Sequence, residues 1–456
     1  MEIWTIVDKG LGNASYFVDL GDGRALVVDP GRDPTPYLEE AARAHSTITF
    51  AAETHLHADF VSGSRELHAE GAAVLASAGA GLAFEHHPLQ DDELVDLGGL
   101  TLRALATPGH TPEHLSYELL DGSDPVAVFT GGSLLRGSVA RTDLLSADQT
   151  EPLARALFHS VHDRLFALPD ELAVYPTHGA GATFCSVSAT DDGDPSTTIG
   201  REREANTVVR APDEQVFARG LLSSYGSYPR YFTRLREVNQ RGPHVYGATL
   251  PTLAALSPEQ VQEALAGGAS LVDARAIDAF AEGHVPDALS IALRSAFATW
   301  LGWLVPEGTP LVLVLAEGQD RSEVVRQCLK VGYEDFVGEL AGGMAAWREA
   351  GLPEERSGLV EPDDVPEGTV LDVRQRNEYE QGHVPGAAHI ELGSLEREAA
   401  SLPEGPLTMH CGHGERAMTA ASLLARNGRA DVWVVRGGPR EICRVSGRHL
   451  ARGEGR

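Results

Sequence analysis

Cysteine, cationic side chains and long apolar runs are all scarce in this chain, and each shortage narrows what the protein can be. Four cysteines in 456 residues, none in a Cys-x-x-Cys pair, exclude a disulfide framework and a thiolate zinc cluster. Lysine and arginine total 37 against 66 aspartates and glutamates. A surface so acidic is unsuited to nucleic acid or an anionic membrane, so anionic substrates must be held by local positive groups. No run of about 18 apolar residues occurs, and Met1-Glu2-Ile3-Trp4 is not a basic-then-apolar leader. The expectation is a soluble, cytoplasmic protein with no nucleic-acid or membrane partner, long enough for about three domains.

What is present begins with Met409-His410-Cys411-Gly412-His413-Gly414-Glu415-Arg416-Ala417. An apolar run precedes this loop and an alanine-rich helical stretch follows it. A cysteine placed at a strand end before a helix start faces inward-pointing N–H groups and the positive end of the helix, a setting that holds anionic sulfur. Arg416 adds a permanent charge and a planar fork of donors suited to oxyanions. Cys411 and Arg416 are therefore read as catalytic, and Gly412, His413, Gly414 and Glu415 as the cradle for substrate. Cys185, Cys328 and Cys443 read as small buried hydrophobes.

Toward the N-terminus, β-type runs alternate with helical segments. Residues 16–20 and 25–29 flank the turn Gly21-Asp22-Gly23 as a hairpin; 34–45 read as a helix and 47–52 as a strand. That strand runs into Thr54-His55-Leu56-His57-Ala58-Asp59-Phe60. Two histidines one residue apart, with an acid two further on, can converge on one metal when they sit on a loop leaving a strand. Thr107-Pro108-Gly109-His110-Thr111 and Tyr175-Pro176-Thr177-His178 bring a histidine to two further strand ends. His55, His57, Asp59, His110 and His178 are the candidate metal ligands, whereas His86 and His87 read as a solvated loop.

These motifs, with the PTHGAG segment at 176–181 and Thr198-Ile199-Gly200, Glu202 and Asn206, resemble the metallo-β-lactamase fold, an αββα sandwich, and within it the persulfide dioxygenase branch. The resemblance implies one Fe(II) held by two histidines and a carboxylate, with the histidines at His55 and His110. Phe60 replaces the histidine that two-metal members carry after the motif aspartate, which argues against a second metal. The family carboxylate lies in a TGD segment, but this chain reads Thr130-Gly131-Gly132-Ser133, so glycine stands where aspartate is expected. Three arrangements stay open: a metal, Fe(II) or Zn(II), on His55, His57 and His110 with Asp59 or His178 nearby; compensation by Asp143; or a metal-free site.

The rest of the chain is an internal repeat. Leu271-Val272-Asp273-Ala274-Arg275 with Gly283-His284-Val285-Pro286 recurs as Leu371-Asp372-Val373-Arg374 with Gly382-His383-Val384-Pro385. Both copies resemble rhodaneses, α/β domains with a parallel sheet. Aligning Arg321 with Arg416 puts Ala316 opposite Cys411, so the first copy is expected to be inert. In the second copy the six-residue loop from Cys411 to Arg416 resembles that of sulfur-handling members. Asp372 and Arg374 are expected to form a structural ion pair.

The expected organisation is a metallo-β-lactamase-like domain at 1–205, a connecting region at 206–254, an inert rhodanese-like domain at 255–354 and a rhodanese domain at 358–456. The expected function is sulfur metabolism: sulfur transfer by Cys411 from thiosulfate or a low-molecular-weight thiol persulfide, joined to a persulfide dioxygenase-like domain. The rival expectations are a metal-free sulfur carrier or sensor and a zinc-dependent hydrolase.

Overall fold

A computed structural model describes residues 1–179, 195–247, 249–429 and 431–453. Ala180 and Gly181 of the PTHGAG segment and Cys185 lie outside the described residues. The chain divides into two compact units, Met1–Pro251 with Val325–Gly332, and Thr252–Val324 with Tyr333–Arg456. Among the described residues no helix is long and apolar enough to cross a membrane.

The first unit is built on two six-stranded sheets. One runs in the order Glu2–Asp8, Asn13–Asp19, Arg24–Val28, Thr47–Ala52, Ala73–Ser77, His87–Leu89; the other in the order Thr197–Thr198, Ala173–Pro176, Asp124–Gly131, Leu115–Asp121, Leu100–Ala106, Leu94–Asp96. The expected hairpin is present, with Tyr16 opposite Val28. The strand Asn13–Asp19 is buried on both faces because both are covered. Tyr16 and Val18 pack with Tyr117 and Phe129 between the sheets. Phe17 packs outward on Tyr37 and Ala41 of the helix Thr35–Ala44. The second sheet is covered in the same way, Val128 and Val174 packing on Ala154 and Leu157 of the helix Ala147–His159. The result is the αββα layering expected from the motifs. His87 opens an edge strand instead of lying in a loop, and pairs with Glu93.

The second unit holds two five-stranded parallel sheets of matching order. The first is Ala255–Leu256, Phe336–Leu340, Leu311–Val314, Ser270–Asp273, Leu289–Ser290; the second is Gly358–Val360, Val432–Val435, Leu407–His410, Thr369–Asp372, Ala388–His389. The repeat motif has the same physical role in each. Arg374 forks onto Asp372 at 2.6 and 2.9 Å and donates to the Gly382 carbonyl at 2.8 Å. Arg275 does the same with Asp273 and Gly283. The histidines of the two GHVP turns are buried, His383 stacked on Tyr379 at 3.8 Å and His284 on Phe280 at 3.7 Å. These motifs tie a strand end to a turn in both copies, so they are shared whether or not a copy has a nucleophile.

Sheet register corrects one alignment. Asp372 lies opposite His410 and Asp273 opposite Val314, so Leu315, not Ala316, occupies the place of Cys411. Residues 315–320 separate strand from helix in the first copy, whereas only 411–414 do so in the second. The longer connection is why counting back from Arg321 lands one residue off. Neither Leu315 nor Ala316 carries a thiol, and the first copy has no nucleophile at this position.

Candidate functional site

Two sites emerge, one in each unit. In the first unit, the loop after Thr47–Ala52 delivers His55, His57 and Asp59; the turn after Leu100–Ala106 delivers His110; and the end of Ala173–Pro176 delivers His178. All five are buried, none more than 3% exposed. Ring centroids lie 4.2 Å apart for His55 and His57, 4.7 Å for His55 and His110, and 5.2 Å for His110 and His178. Possible ligand atoms lie within 4.8 Å of one another in three sets: His55, His110 and His178; Asp29, His55 and His57; and His57, Asp59 and His178.

Burial and the neighbouring rings hold His55 and His110 well below the ordinary imidazole value. Neutral imidazole is the form that binds a metal. Burial lowers His57 too, but Asp29 and Glu53 overcome that and raise it to about 10, so a metal on this ring would displace its proton. Burial pushes the Asp59 carboxyl up, and His178 and His57 pull it below its ordinary value.

Several residues that build this site were not read from the sequence as part of it. Asp29, at φ +50°, sits beyond the strand Arg24–Val28 in the left-handed region, an uncommon and strained conformation for a non-glycine residue. Its carboxylate accepts from the Thr54 N–H and hydroxyl, both at 2.7 Å, and from the Thr177 hydroxyl. It thus ties two ligand-bearing loops together. Glu53 accepts from His57 Nε2 at 2.9 Å. His114 stacks on His55 at 5.0 Å and accepts the Gly132 N–H at 3.0 Å. Burial depresses His114 to about 3, in keeping with an accepting Nε2. Phe60 stacks on His57 at 4.2 Å.

The helix Tyr231–Arg241 closes this loop from behind. Asn239 donates to the His57 and Phe60 carbonyls at 2.8 and 2.9 Å and accepts from Ser62 N–H. Arg236 forks onto Glu113 at 2.8 and 2.9 Å, and Glu113 also accepts from Leu56 N–H. Burial pushes Glu113 up, but Arg236 holds it below its ordinary value near 4.5. Such a group stabilises the fold above the ordinary glutamate range and loses that contribution as pH falls through its folded value. Arg236→Ala is therefore expected to cost about 2 kcal/mol at pH 7, less than a fully buried pair because Arg236 is partly exposed. Urea midpoints of the two proteins should converge as pH falls through the folded value of Glu113, below its ordinary range. An equal gap at acid pH would refute the ion-pair account.

A histidine-rich centre in this fold suits a metal such as iron or zinc. The iron set implied by the resemblance does not assemble, however. A Cβ at Gly132 would overlap the His110 imidazole, 2.7 Å from Cγ, so that ring fills the space of the missing aspartate. His110 Nδ1 is tied to the Arg141 carbonyl at 2.7 Å. Asp143 offers no compensation, since it pairs with Arg141 at 2.7 Å and joins none of the three ligand sets.

In the second unit, Cys411 directly follows the strand Leu407–His410 and precedes the helix Glu415–Arg426. The Gly414 N–H donates to its Sγ at 3.2 Å. Gly414 has φ +108°, a conformation that favours glycine, and a Cβ there would stand 2.9 Å from Ile277 Cδ1. Gly412, His413 and Glu415 line a cleft of about 670 Å³. The facing wall comes from the first copy and includes Ile277, Asp278, Arg294 and Gln319. Arg416 forks onto Glu378 at 2.6 and 2.8 Å. The sequence suggested an oxyanion for that fork. Burial pushes the Cys328 and Cys443 thiols up, as inert core cysteines require.

Residues 8–178 match the metallo-beta-lactamase superfamily, and residues 257–350 and 355–444 match the rhodanese-like domain. The chain is 31% identical to human persulfide dioxygenase ETHE1, mitochondrial, over 34% of this chain and 58% of that protein. It is 30% identical to the Bos taurus protein of the same name, over 42% of this chain and 74% of that one. The chain thus spans little more than half of the human relative. A solved metallo-beta-lactamase structure from Staphylococcus aureus subsp. aureus COL superposes with a TM-score of 0.64 at 27% identity, covering 75% of this chain and 98% of its own. With this kinship added to the layered sheets, the histidine-bearing loops and the repeated parallel domains, the chain belongs to the persulfide dioxygenase family of metallo-beta-lactamase-fold enzymes and carries two rhodanese-like domains behind that fold.

Proposed function

We propose that this protein is a sulfur-metabolism enzyme whose sulfurtransferase centre is Cys411. The observation that carries this reading is the Gly414 N–H directed at Cys411 Sγ, in a loop that opens a helix and lines a cleft. The Cys411 thiolate attacks the outer sulfur of thiosulfate, the S–S bond breaks, and sulfite leaves with the bonding pair. An acceptor thiolate or cyanide then attacks the outer sulfur of the Cys411 persulfide, breaking the new S–S bond and returning the thiolate. Backbone N–H groups of the loop hold the sulfur anion. Arg416, engaged by Glu378, is a positioning residue that fixes the loop.

The first domain takes its substrate class, a low-molecular-weight thiol persulfide, from kinship with the proteins named persulfide dioxygenase. Oxygenation on the family pattern calls for a carboxylate that Gly132 does not supply.

The test is to incubate the whole chain with thiosulfate and no acceptor, then map cysteine persulfides by mass spectrometry. One added sulfur on the Cys411 peptide is expected. Sulfur on another cysteine, or on none, would overturn the assignment.

A further inference from the structure

Among the described residues, four buried polar atoms without a hydrogen-bond partner belong to one of the three ligand sets: His57 Nδ1, both Asp59 carboxylate oxygens and His178 Nδ1. The three residues are 1%, 3% and 0% exposed. Asp59 Oδ2 lies 3.3 Å from His178 Nδ1 but does not form an aligned hydrogen bond with it. Leaving one buried donor or acceptor unsatisfied costs about 1–3 kcal/mol, and more for a charged group. Several such atoms on residues of one cluster mark a missing partner, usually water or an ion.

The remaining nitrogens of these rings are accounted for. His57 Nε2 meets Glu53 at 2.9 Å and Asp29 at 3.3 Å. A carboxylate on the far nitrogen is the arrangement that fixes the tautomer of a ligating histidine and turns its other nitrogen toward a metal. His178 Nε2 lies 3.3 Å from His55 Nε2. His55 and His110 contribute no unsatisfied atom, and His55 Nδ1 is bonded to the Thr54 hydroxyl at 2.8 Å. The unmet demand therefore lies on the Asp59 side of the cluster.

We infer that this chain holds one divalent first-row transition metal on His57, Asp59 and His178, displaced from the His55 and His110 position that Gly132 deprives of its carboxylate. Two imidazoles and one carboxylate form a donor set for Fe(II) and Zn(II) alike. The inference rests on reading the first domain as a metal-holding fold and is independent of Cys411.

The experiment strips the full chain with chelator and titrates it anaerobically with Co(II) as the probe, reading metal per chain, the visible d–d spectrum and the thermal midpoint. Wild type should bind one ion per chain and melt higher with it. Asp59→Ala should bind at least about 100-fold more weakly. Adding the ion should leave its thermal midpoint where it was. Asp59→Asn, of nearly the same shape, should show the same loss if the alanine variant misfolds. His110→Ala should keep the ion. Full binding by both Asp59 variants, no binding by wild type, or loss of the ion in His110→Ala would each overturn the inference. Persulfide formation on Cys411 is read separately, so failure of one claim leaves the other standing.

Discussion

Cys411→Ser is expected to lower thiosulfate-to-cyanide sulfur transfer by at least about three orders of magnitude, the scale seen when a sole nucleophile is removed. A serine hydroxyl is not ionised near neutral pH and forms no persulfide, so the first step has no attacking atom. The fold should survive, because the serine oxygen can accept the Gly414 N–H in place of Sγ. Melting behaviour should stay within the small range of a conservative substitution. The other described thiols cannot substitute, since Cys328 and Cys443 are buried at 0% and 3% exposure and disfavour the thiolate. Transfer surviving at more than a tenth of the wild-type rate would remove Cys411 from the mechanism.

The second large effect is structural. Gly393→Ala should destabilise the second unit by about 3 kcal/mol, the upper end for an overpacked contact, and lower its melting midpoint by roughly 6 to 12 °C. A methyl group at this position would lie inside the indole ring of Trp303. Trp303 cannot turn aside freely: it stacks on Trp300 at 5.3 Å, is 5% exposed and donates to the Gly393 carbonyl at 3.2 Å. Gly318→Ala is the control, because a Cβ there meets nothing within 4 Å. Differential scanning calorimetry of the full chain separates the outcomes, and equal midpoints for the two variants would show that the Trp303 contact carries no such weight.

Strand ends and the repeat were legible because they depend on local pattern. The run before Thr54 is β-branched and aromatic, and it does form a strand, Thr47–Ala52, that delivers His55 and His57. The tandem Asp, Arg and Gly-His-Val-Pro signatures recur because each closes the same ion pair and ring stack. The bracing of the histidine cluster was not legible. Asp29 reads as an ordinary turn residue after a hairpin, and only the fold brings its carboxylate to Thr54 and Thr177. Asn239 and Arg236 lie far along the chain from the loop they hold, with no periodicity to link them. Gly132 was conspicuous as a missing ligand. The sequence could not convey that His110 occupies the vacated space. Likewise the longer connection after Leu311–Val314 shifts an alignment that residue spacing alone cannot correct.

The shared cleft has a consequence for how this chain can change over time. A duplicated domain without a nucleophile would ordinarily drift, constrained only by the need to stay folded. Here Ile277 of the first copy abuts Gly414, and Asp278 pairs with Arg436 beside the Cys411 loop. Selection on the Cys411 loop therefore reaches into a copy with no cysteine at that place, and it does so face by face. Positions lining the cleft, Gln319 among them, inherit the tolerance of a binding surface, while the exposed stretch 316–318 is left to vary as connecting chain.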